Sequence, residues 1–309
     1  MSEQKPKHVV SVSLGSSQRN KNFEVEILGV PFVIERMGTD GDLRRFADMF
    51  TKLDGQVDAL GVGGADIYVV VDRRRYAFRQ ILKLIAGAKT TPVVDGSGLK
   101  HTLERETVER LQREGIVDFK RETTLLVSAV DRFGMAQALD KIGGKVIYGD
   151  VMFAIGLPWQ LHSYKGVRRL GSVVLPLVTK LPFKWFYPTG EKQDERKPKF
   201  PKVWAEATII AGDTLFIKRY ASENLAGKTI LTQTVRKADL EWMKQAGVRR
   251  VITTTPIMGG ETFATNVMEG VLVVLLGKKP SEISEQDYLD KLKELDWSPN
   301  VIELNGLDS

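Results

Sequence analysis

The stretch "TLLVSAVDRFGMAQALDKIGGKVIYGD", residues 124–150, decides the fold class of this 309-residue chain. An apolar strand is followed by a short turn, a helix around Met135–Ile142 and a second apolar strand that leads to Asp150. This order is typical of a β-α-β unit, in which a helix connects two parallel strands. Strand-like runs at residues 8–14 and 23–35 and later strand–helix pairs extend the alternation. The sequence therefore predicts an α/β fold with mainly parallel sheets.

One segment interrupts the alternation and divides the chain. Residues 156–202 are rich in proline, aromatic and basic residues, and we interpret them as an insertion. Before them we predict an N-terminal α/β substrate-type domain over residues 1–121 and the start of a Rossmann-like domain over residues 122–155. After them, residues 203–309 are expected to complete the Rossmann-like domain and to end in a C-terminal helix. The length of the chain suits such a two-domain organisation.

The basic excess of the chain belongs to this same segment. Residues 164–202 hold ten basic and three acidic side chains, a net charge of +7, whereas the whole chain carries +6. A nucleic-acid-binding domain more often carries a basic stripe across its folded surface, so nucleic acid is not expected as a partner. Because "FKWFYP" at 183–188 interleaves aromatic and basic residues, an interaction module docking on an anionic surface stays open as an alternative. A solvated arm or a contact within a homo-oligomer is the simpler explanation.

Composition excludes several classes of site. The chain has no cysteine, which rules out disulfides, zinc–thiolate sites, iron–sulfur clusters and thiol nucleophiles. Its three histidines, His8, His101 and His162, lack the spacing of metal ligands, so we expect no metal. The N-terminus lacks the apolar stretch of a signal peptide, and no apolar run reaches the roughly 18 residues that a membrane span needs. We therefore expect a cytoplasmic protein without a membrane span.

Polar and glycine residues follow several predicted strands. "VVDGSGLK" at 93–100 places Asp95 and two glycines between a strand and a helix. This arrangement predicts either a substrate loop or an ordinary turn that caps the helix. "TTTPIMGG" at 253–260 also follows a strand, and ligands of open α/β sheets bind at that edge. Threonine is a common residue at strand ends as well, so both interpretations stay open.

The β-α-β unit is a candidate dinucleotide site. Asp150 lies about 20 residues past the turn, where an acid often binds a ribose hydroxyl. Such a turn normally contains glycines that let the backbone approach a pyrophosphate. Here Ser128 lies in the turn and Gly134 is the only glycine nearby. An ordinary packing unit explains the pattern equally well.

Taken in order, these motifs resemble the shikimate/quinate 5-dehydrogenase family, in a divergent bacterial branch. The motifs are "SVS" at 11–13, "DGSGL" at 95–99, the strand–turn–helix at 124–139, "TTPIMGG" at 254–260 and "EG" at 269–270. The resemblance implies an α/β fold of two Rossmann-like parts with mainly parallel sheets and a cleft between them. It also implies an NAD(P)-dependent oxidoreductase that acts on a cyclic polyol acid of the quinate or shikimate type. It implies Asp95 in the catalytic pair. It further implies substrate contacts from Ser11, Ser13, Lys100 and Glu269, and cofactor contacts from Ser128, Gly134, Asp150, Thr254, Thr255 and Gly259.

One departure from the family bears on catalysis. The family's catalytic lysine should precede the Asp95 loop, but residues 61–80 contain no lysine. Arginine stays protonated near neutral pH and cannot replace lysine in acid–base chemistry. The sequence thus leaves open whether the chain is an enzyme. The alternative is a non-catalytic nucleotide- or metabolite-binding protein on the same fold, with a small molecule as its partner in either case.

Overall fold

The computed structural model describes residues 5–72, 74–181, 196–255, 257–258, 261–262 and 264–306. Its strands are β1 Lys7–Ser13, β2 Lys21–Ile27, β3 Val30–Gly38, β4 Ala59–Gly63, β5 Tyr68–Val71, β6 Arg74–Ala77, β7 Val93–Val94, β8 Thr123–Leu126, β9 Lys145–Tyr148, β10 Ile209–Ala211, β11 Thr229–Thr232, β12 Arg250–Thr253, β13 Ile257–Met258, β14 Glu261–Thr262 and β15 Asn300–Glu303. Its α-helices are α1 Leu43–Leu53, α2 Arg79–Leu84, α3 Ser97–Arg113, α4 Phe133–Ile142, α5 Tyr164–Val178, α6 Pro201–Glu206, α7 Thr214–Tyr220, α8 Lys237–Gln245, α9 Thr265–Leu276 and α10 Glu285–Glu294.

The first main sheet has the strand order β2-β3-β1-β4-β7. Strands β1, β3, β4 and β7 run parallel, and β2 pairs antiparallel with β3 at the edge. The run at 23–35, predicted as one strand, is divided between β2 and β3 by a tight turn. Leu28 and Gly29 form this turn with positive φ angles of 51° and 76°, as a two-residue hairpin loop requires.

The second main sheet has the order β15-β12-β11-β10-β8-β9, and all of its pairs except β12–β15 are parallel. In each sheet one strand lies between two strands that follow it in the chain: β1 lies between β3 and β4, and β8 lies between β9 and β10. Connections that leave in opposite directions open a crevice at the carboxyl ends of the strands. The prediction of two Rossmann-like parts with mainly parallel sheets is confirmed, and each sheet offers one candidate site.

Helices α9 and α10 lie with the first sheet, although the predicted division assigned residues 203–309 to the second part. Met268 and Leu272 of α9 pack with Val9 and Ala59 of the first sheet, and Tyr288 of α10 joins the same cluster. Residues 265–273 of α9 are all buried, so this helix must be covered on every side. The α9 sequence predicts that burial but not which sheet provides it.

Two further clusters complete the core. One spans both sheets, since it joins Phe46 and Leu60 to Leu126 and Ile252. The other covers the far face of the second sheet, around the fully buried Trp204. The two parts therefore share apolar packing as well as polar contacts.

The segment predicted as an insertion contains helix α5, which docks on the fold. Val167, Gly171 and Leu175 of this helix are buried, and the ring of Tyr164 packs 5.0 Å from that of Phe133 in α4. Residues 182–195 of the segment lie outside the described residues. Among the helices that the structure describes, none combines the length and apolar character needed to cross a bilayer.

Candidate functional site

The carboxyl ends of β1 and β4 lie side by side at the edge of the first sheet. Ser13 ends β1, and Gly63 ends β4. A Cβ on Gly63 would lie 2.8 Å from the Cβ of Ser13, so a side chain there would collide with Ser13. The exposed Gly64 follows with a φ of +70°, a conformation that glycine adopts readily. We name this edge the basic crevice, formed by Ser13, Gly15, Arg19, Arg36 and Gly64.

Two guanidinium groups converge in the basic crevice. A Cβ on Gly15 would lie 2.9 Å from Nη2 of Arg36 and 3.0 Å from Nη2 of Arg19. Burial, and then the charge of Arg19, lower the pKa of Arg36 to about 10, although Asp40 acts in the opposite direction. Like charges in a partly desolvated site repel each other. An anion bound between them would relieve this repulsion.

The described residues give Arg36 hydrogen bonds but no ion pair. Its Nη2 donates to Oγ of Ser13 at 3.0 Å, and its Nη1 donates to the carbonyl oxygen of Ser16 at 3.1 Å. Asp40 is exposed, and its carboxylate accepts the backbone N–H of Ser17 at 2.6 Å. A partly buried guanidinium normally has an acidic partner. Among the described residues, Arg36 therefore lacks an ion-paired acid, although the charge of Asp40 acts on its pKa.

Ser11 and Ser13, both predicted as substrate contacts, lie at this edge with different partners. Ser13 is part of the basic crevice, where its Oγ also accepts the N–H of Gly15 at 3.1 Å. Ser11 lies one pleat earlier, and its Oγ accepts a hydrogen bond from Nδ2 of Asn266 at 2.7 Å. That bond ties the first turn of α9 to β1. Ser11 thus anchors a helix behind the crevice.

Asp95, predicted as the catalytic acid, binds three backbone N–H groups. Its Oδ2 accepts from Ile67 at 2.5 Å and from Tyr68 at 2.8 Å, and its Oδ1 accepts from Ser97 at 2.9 Å. These bonds tie the loop after β4 to the start of α3. Asp95 therefore bonds the first residue of α3, whose N-cap residue is Gly96.

Glu269, predicted as a substrate contact, binds the start of α3. Its carboxylate accepts the N–H groups of Gly96 at 2.7 Å and Leu99 at 3.3 Å, and the hydroxyl of Tyr288 at 2.8 Å. Burial, and then the charge of Asp95, raise the pKa of Glu269 to about 7. A carboxylate at a helix N-terminus satisfies otherwise unbonded N–H groups. Glu269 is accordingly a buried cap.

At the second sheet, Asp150 occupies the turn that was predicted to bind a dinucleotide. Its Oδ2 accepts the N–H of Ala129 at 3.1 Å, and its Oδ1 accepts the N–H of Val130 at 2.8 Å. These are the turn N–H groups that a pyrophosphate would need. Burial raises the pKa of Asp150 to about 6. The turn therefore already holds an anionic group of its own and does not fit a pyrophosphate in this arrangement.

The other predicted residues of this turn have packing or turn positions. A Cβ on Gly134 would collide with the carbonyl oxygen of His101, so glycine permits the contact between α4 and α3. Ser128 is half-buried two residues after the end of β8. The local sequence gave no sign that Gly134 serves a helix–helix contact, because its partner lies 33 residues earlier.

Lys100, predicted as a substrate contact, takes part in a buried charge network between the two parts. Its Nζ lies 2.7 Å from Oδ1 of Asp131. Arg132, the residue after Asp131, forms an ion pair with Glu104 of α3. Its Nη2 also lies 3.3 Å from Oδ2 of Asp213. Together these five residues form what we call the ionic bridge. It joins α3 to the loops at the carboxyl edge of the second sheet.

The predicted threonines stabilise the end of β12. Oγ1 of Thr255 donates to the carbonyl oxygen of Gln233 at 2.7 Å, and the indole N–H of Trp297 donates to the carbonyl oxygen of Thr254 at 2.9 Å. Both threonines are fully buried. Gly259, assigned with them to the cofactor, lies outside the described residues.

Sequence reasoning missed the arginines that define both edges. Arg36 interrupts the apolar run "VPFVIERMG" of β3. A charged residue at that position indicates that the carboxyl end of β3 is polar. Arg132 had no comparable signal, because its partner Glu104 belongs to a different part of the fold.

The family comparison matches nearly the whole chain. Residues 98–304 match the model described as Domain of unknown function (DUF8754), and residues 8–95 match Domain of unknown function (DUF8753). None of the curated proteins matches the sequence at a significant level.

Several solved structures align with most of the chain at low similarity. A hetero-hexameric glutamate dehydrogenase from Thermus thermophilus is 13% identical over 94% of this chain and 74% of its own, with a TM-score of 0.42. A periplasmic solute binding protein from Actinobacillus succinogenes 130z, with bound D-allose, is 11% identical over 96% and 97%, with a TM-score of 0.38. A glucose-galactose binding protein from Geobacillus stearothermophilus is 8% identical over 99% and 100%, with a TM-score of 0.37. Scores at this level carry no argument about the function of this chain.

Proposed function

We propose that this chain, which belongs to the family described as Domain of unknown function (DUF8754), binds a small metabolite with a carboxylate and hydroxyl groups in the basic crevice. The observation that carries this proposal is the convergence of Arg19 and Arg36 over Gly15, with Arg36 bonded only to neutral groups among the described residues. The location supports it as well, because the crevice lies where ligands of open α/β sheets bind.

The donors of the crevice suit a carboxylate better than a phosphate. Phosphate sites rely on several free backbone N–H groups. Here the N–H of Leu14 donates to the carbonyl oxygen of Gly63 at 2.9 Å, and the N–H of Gly15 donates to Ser13. The guanidinium group of Arg36 is then the main charged donor, and guanidinium binds the planar carboxylate in a bidentate manner.

A hydroxylated ligand suits the remaining groups. Oγ of Ser13 accepts hydrogen bonds from Gly15 and Arg36, so its own hydrogen is directed elsewhere and can be donated to a ligand oxygen. A cyclic polyol acid of the quinate or shikimate type, the substrate class implied by the family resemblance, carries the required carboxylate and hydroxyl groups. It is the specific ligand class that we put forward.

NAD(P)-dependent oxidation of such an acid is the alternative function. It needs the same ligand, a nicotinamide cofactor at the second sheet and a general base near the ligand. Asp150 already binds the turn N–H groups that a nicotinamide cofactor would need, which counts against a cofactor site. Asp95 binds backbone N–H groups of a neighbouring loop, which counts against its use as a general base. We therefore propose ligand binding without hydride transfer.

Calorimetric titration of the purified chain with quinate, shikimate and the uncharged polyol myo-inositol tests this proposal. We expect saturable binding of the two acids and none of myo-inositol. Arg36→Gln should lower the affinity for both acids by about tenfold or more, because a charge-assisted hydrogen bond is lost. The matched control is Arg44→Gln, which removes an exposed arginine of α1 and should leave binding unchanged. Equal affinity in Arg36→Gln, or no binding of either acid, would refute the proposal.

A further inference from the structure

Helix α5 carries a continuous stripe of exposed side chains. Lys165, Arg169, Val173 and Leu177 follow one another at intervals of four residues, so they share one face of the helix. Val173 is 68% exposed, and Leu177, near the end of the helix, is 63% exposed. Leu181 continues the same spacing just beyond the helix end and is also exposed. We name these five residues the α5 stripe.

The opposite face of α5 fixes the direction of the stripe. Val167, Gly171 and Leu175, again at intervals of four residues, are buried against the fold. A Cβ on Gly171 would lie only 3.0 Å from Cγ2 of Val71 in β5, so the helix is docked closely on that strand. The α5 stripe must therefore face away from the protein.

The charge of this surface is of one sign. Residues 164–181 contain four basic side chains and no acidic one. Arg168 lies 3.5 Å from Asp72, whereas Lys165 and Arg169 form no ion pair with any residue that the structure describes. A second copy of the chain, bound through the same stripe, would bring like charges together, which disfavours a symmetric dimer here. The stripe is complementary to an anionic partner.

The apolar half of the stripe selects among anionic partners. Nucleic acids bind proteins mainly through phosphates, base edges and stacking on aromatic rings, so a row of exposed aliphatic side chains on a helix contributes little to that binding. The interface of a bilayer with anionic lipids accepts both kinds of group, because aliphatic side chains enter the acyl boundary while lysine and arginine remain at the headgroups. Trp159, in the loop before α5, is 65% exposed, and tryptophan favours that interface.

We propose that the α5 stripe docks the chain on the surface of an anionic lipid bilayer. The first half of the helix supplies the charges that attract the headgroups, and the second half supplies the side chains that insert. This is peripheral attachment, distinct from the ligand site at the basic crevice, and it does not depend on the nature of that ligand.

Sedimentation with lipid vesicles tests this inference on the full chain. One set of vesicles contains phosphatidylserine with phosphatidylcholine, and the other contains phosphatidylcholine alone. We expect binding to the first set only, with salt weakening it. Arg169→Gln should lower the partition coefficient about fivefold, the contribution expected of one basic side chain near an anionic surface. Leu177→Ser should lower it by a similar factor, because it removes an inserting side chain.

Two matched variants control for general surface effects. Lys52→Gln removes an exposed lysine of α1, and Leu82→Ser removes an exposed leucine of α2. Both should bind vesicles as the unchanged chain does, and circular dichroism should give the same melting curve for all four variants. Failure to bind phosphatidylserine vesicles would overturn the proposal. So would binding that is lost in Arg169→Gln but unchanged in Leu177→Ser and displaced by duplex DNA, a result that would indicate a nucleic-acid surface.

Discussion

The carboxyl edges of the two sheets have the same topology and opposite charge balance. At the first edge, Arg36 and Arg19 converge, and Arg36 has only neutral partners among the described residues. At the second edge, Asp150 accepts hydrogen bonds from the N–H groups of the turn, and Arg132 forms an ion pair with Glu104. Both edges thus lie where the connections between strands leave in opposite directions. Among the described residues, the first edge holds an arginine without an ion-paired acid, whereas the second holds an acid within its turn. The two edges therefore differ in charge balance and share their topology, and the proposed ligand site depends on that difference.

The largest expected effect comes from breaking the ionic bridge. Arg132→Met would leave Glu104, which is fully buried, without its cation. We expect the free energy of unfolding to fall by about 3–5 kcal/mol, as for other buried pairs that lose one partner. Urea denaturation of both proteins measures this change in the free energy of unfolding.

The matched comparison is Arg36→Met at the first edge. That substitution should cost far less, because no buried acid depends on Arg36. The double variant Arg132→Met, Glu104→Leu should recover much of the lost stability, since it removes the uncompensated charge as well. A loss of similar size at both edges would mean that they do not differ in the way proposed.

The second prediction concerns pH and the internal cap Glu269. Its pKa is about 7 in the folded chain against 4.5 as a free side chain, so the folded state binds more protons between these values. The free energy of unfolding should therefore fall as pH rises from 4.5 to 7, by about 3 kcal/mol from this group. Glu269→Gln should flatten that dependence, because glutamine does not titrate. Denaturation curves of both proteins near the two ends of this range provide the test, and parallel pH profiles would contradict it.

A smaller effect should follow from Gly134→Ala. The added methyl group would collide with the carbonyl oxygen of His101, so α4 must move away from α3 at a cost of about 1–3 kcal/mol. The control is Gly306→Ala, where a Cβ would meet no atom within 4 Å. The added methyl group has open space there, so the control should leave the free energy of unfolding unchanged. Equal effects in both variants would argue against a packing role for Gly134.

Local patterns predicted the fold better than they predicted the site. The alternation within residues 124–150 was enough to indicate parallel sheets, because strand and helix periods are local properties. Asp95 and Asp150 were identified as noteworthy acids, but both bind backbone N–H groups. Whether a carboxylate faces a ligand or a neighbouring turn depends on the path of the whole chain. The same limit applies to Arg36, whose position relative to Arg19 follows from the β2–β3 hairpin that the sequence pattern did not predict.

The smallest effect is expected for binding of NADH and NADPH at the second edge. A titration of the chain with each cofactor, monitored by fluorescence, measures it. Since Asp150 already binds the N–H groups of Ala129 and Val130, we expect no saturable binding to the unchanged chain. Asp150→Ser removes that carboxylate but leaves Asp131, whose charge still repels phosphate, so binding should be weak at most. Saturable micromolar binding by the unchanged chain would contradict the assignment of a closed edge. It would then favour the oxidoreductase over the binding protein, because the cofactor half of that mechanism would be present despite the acid in the turn.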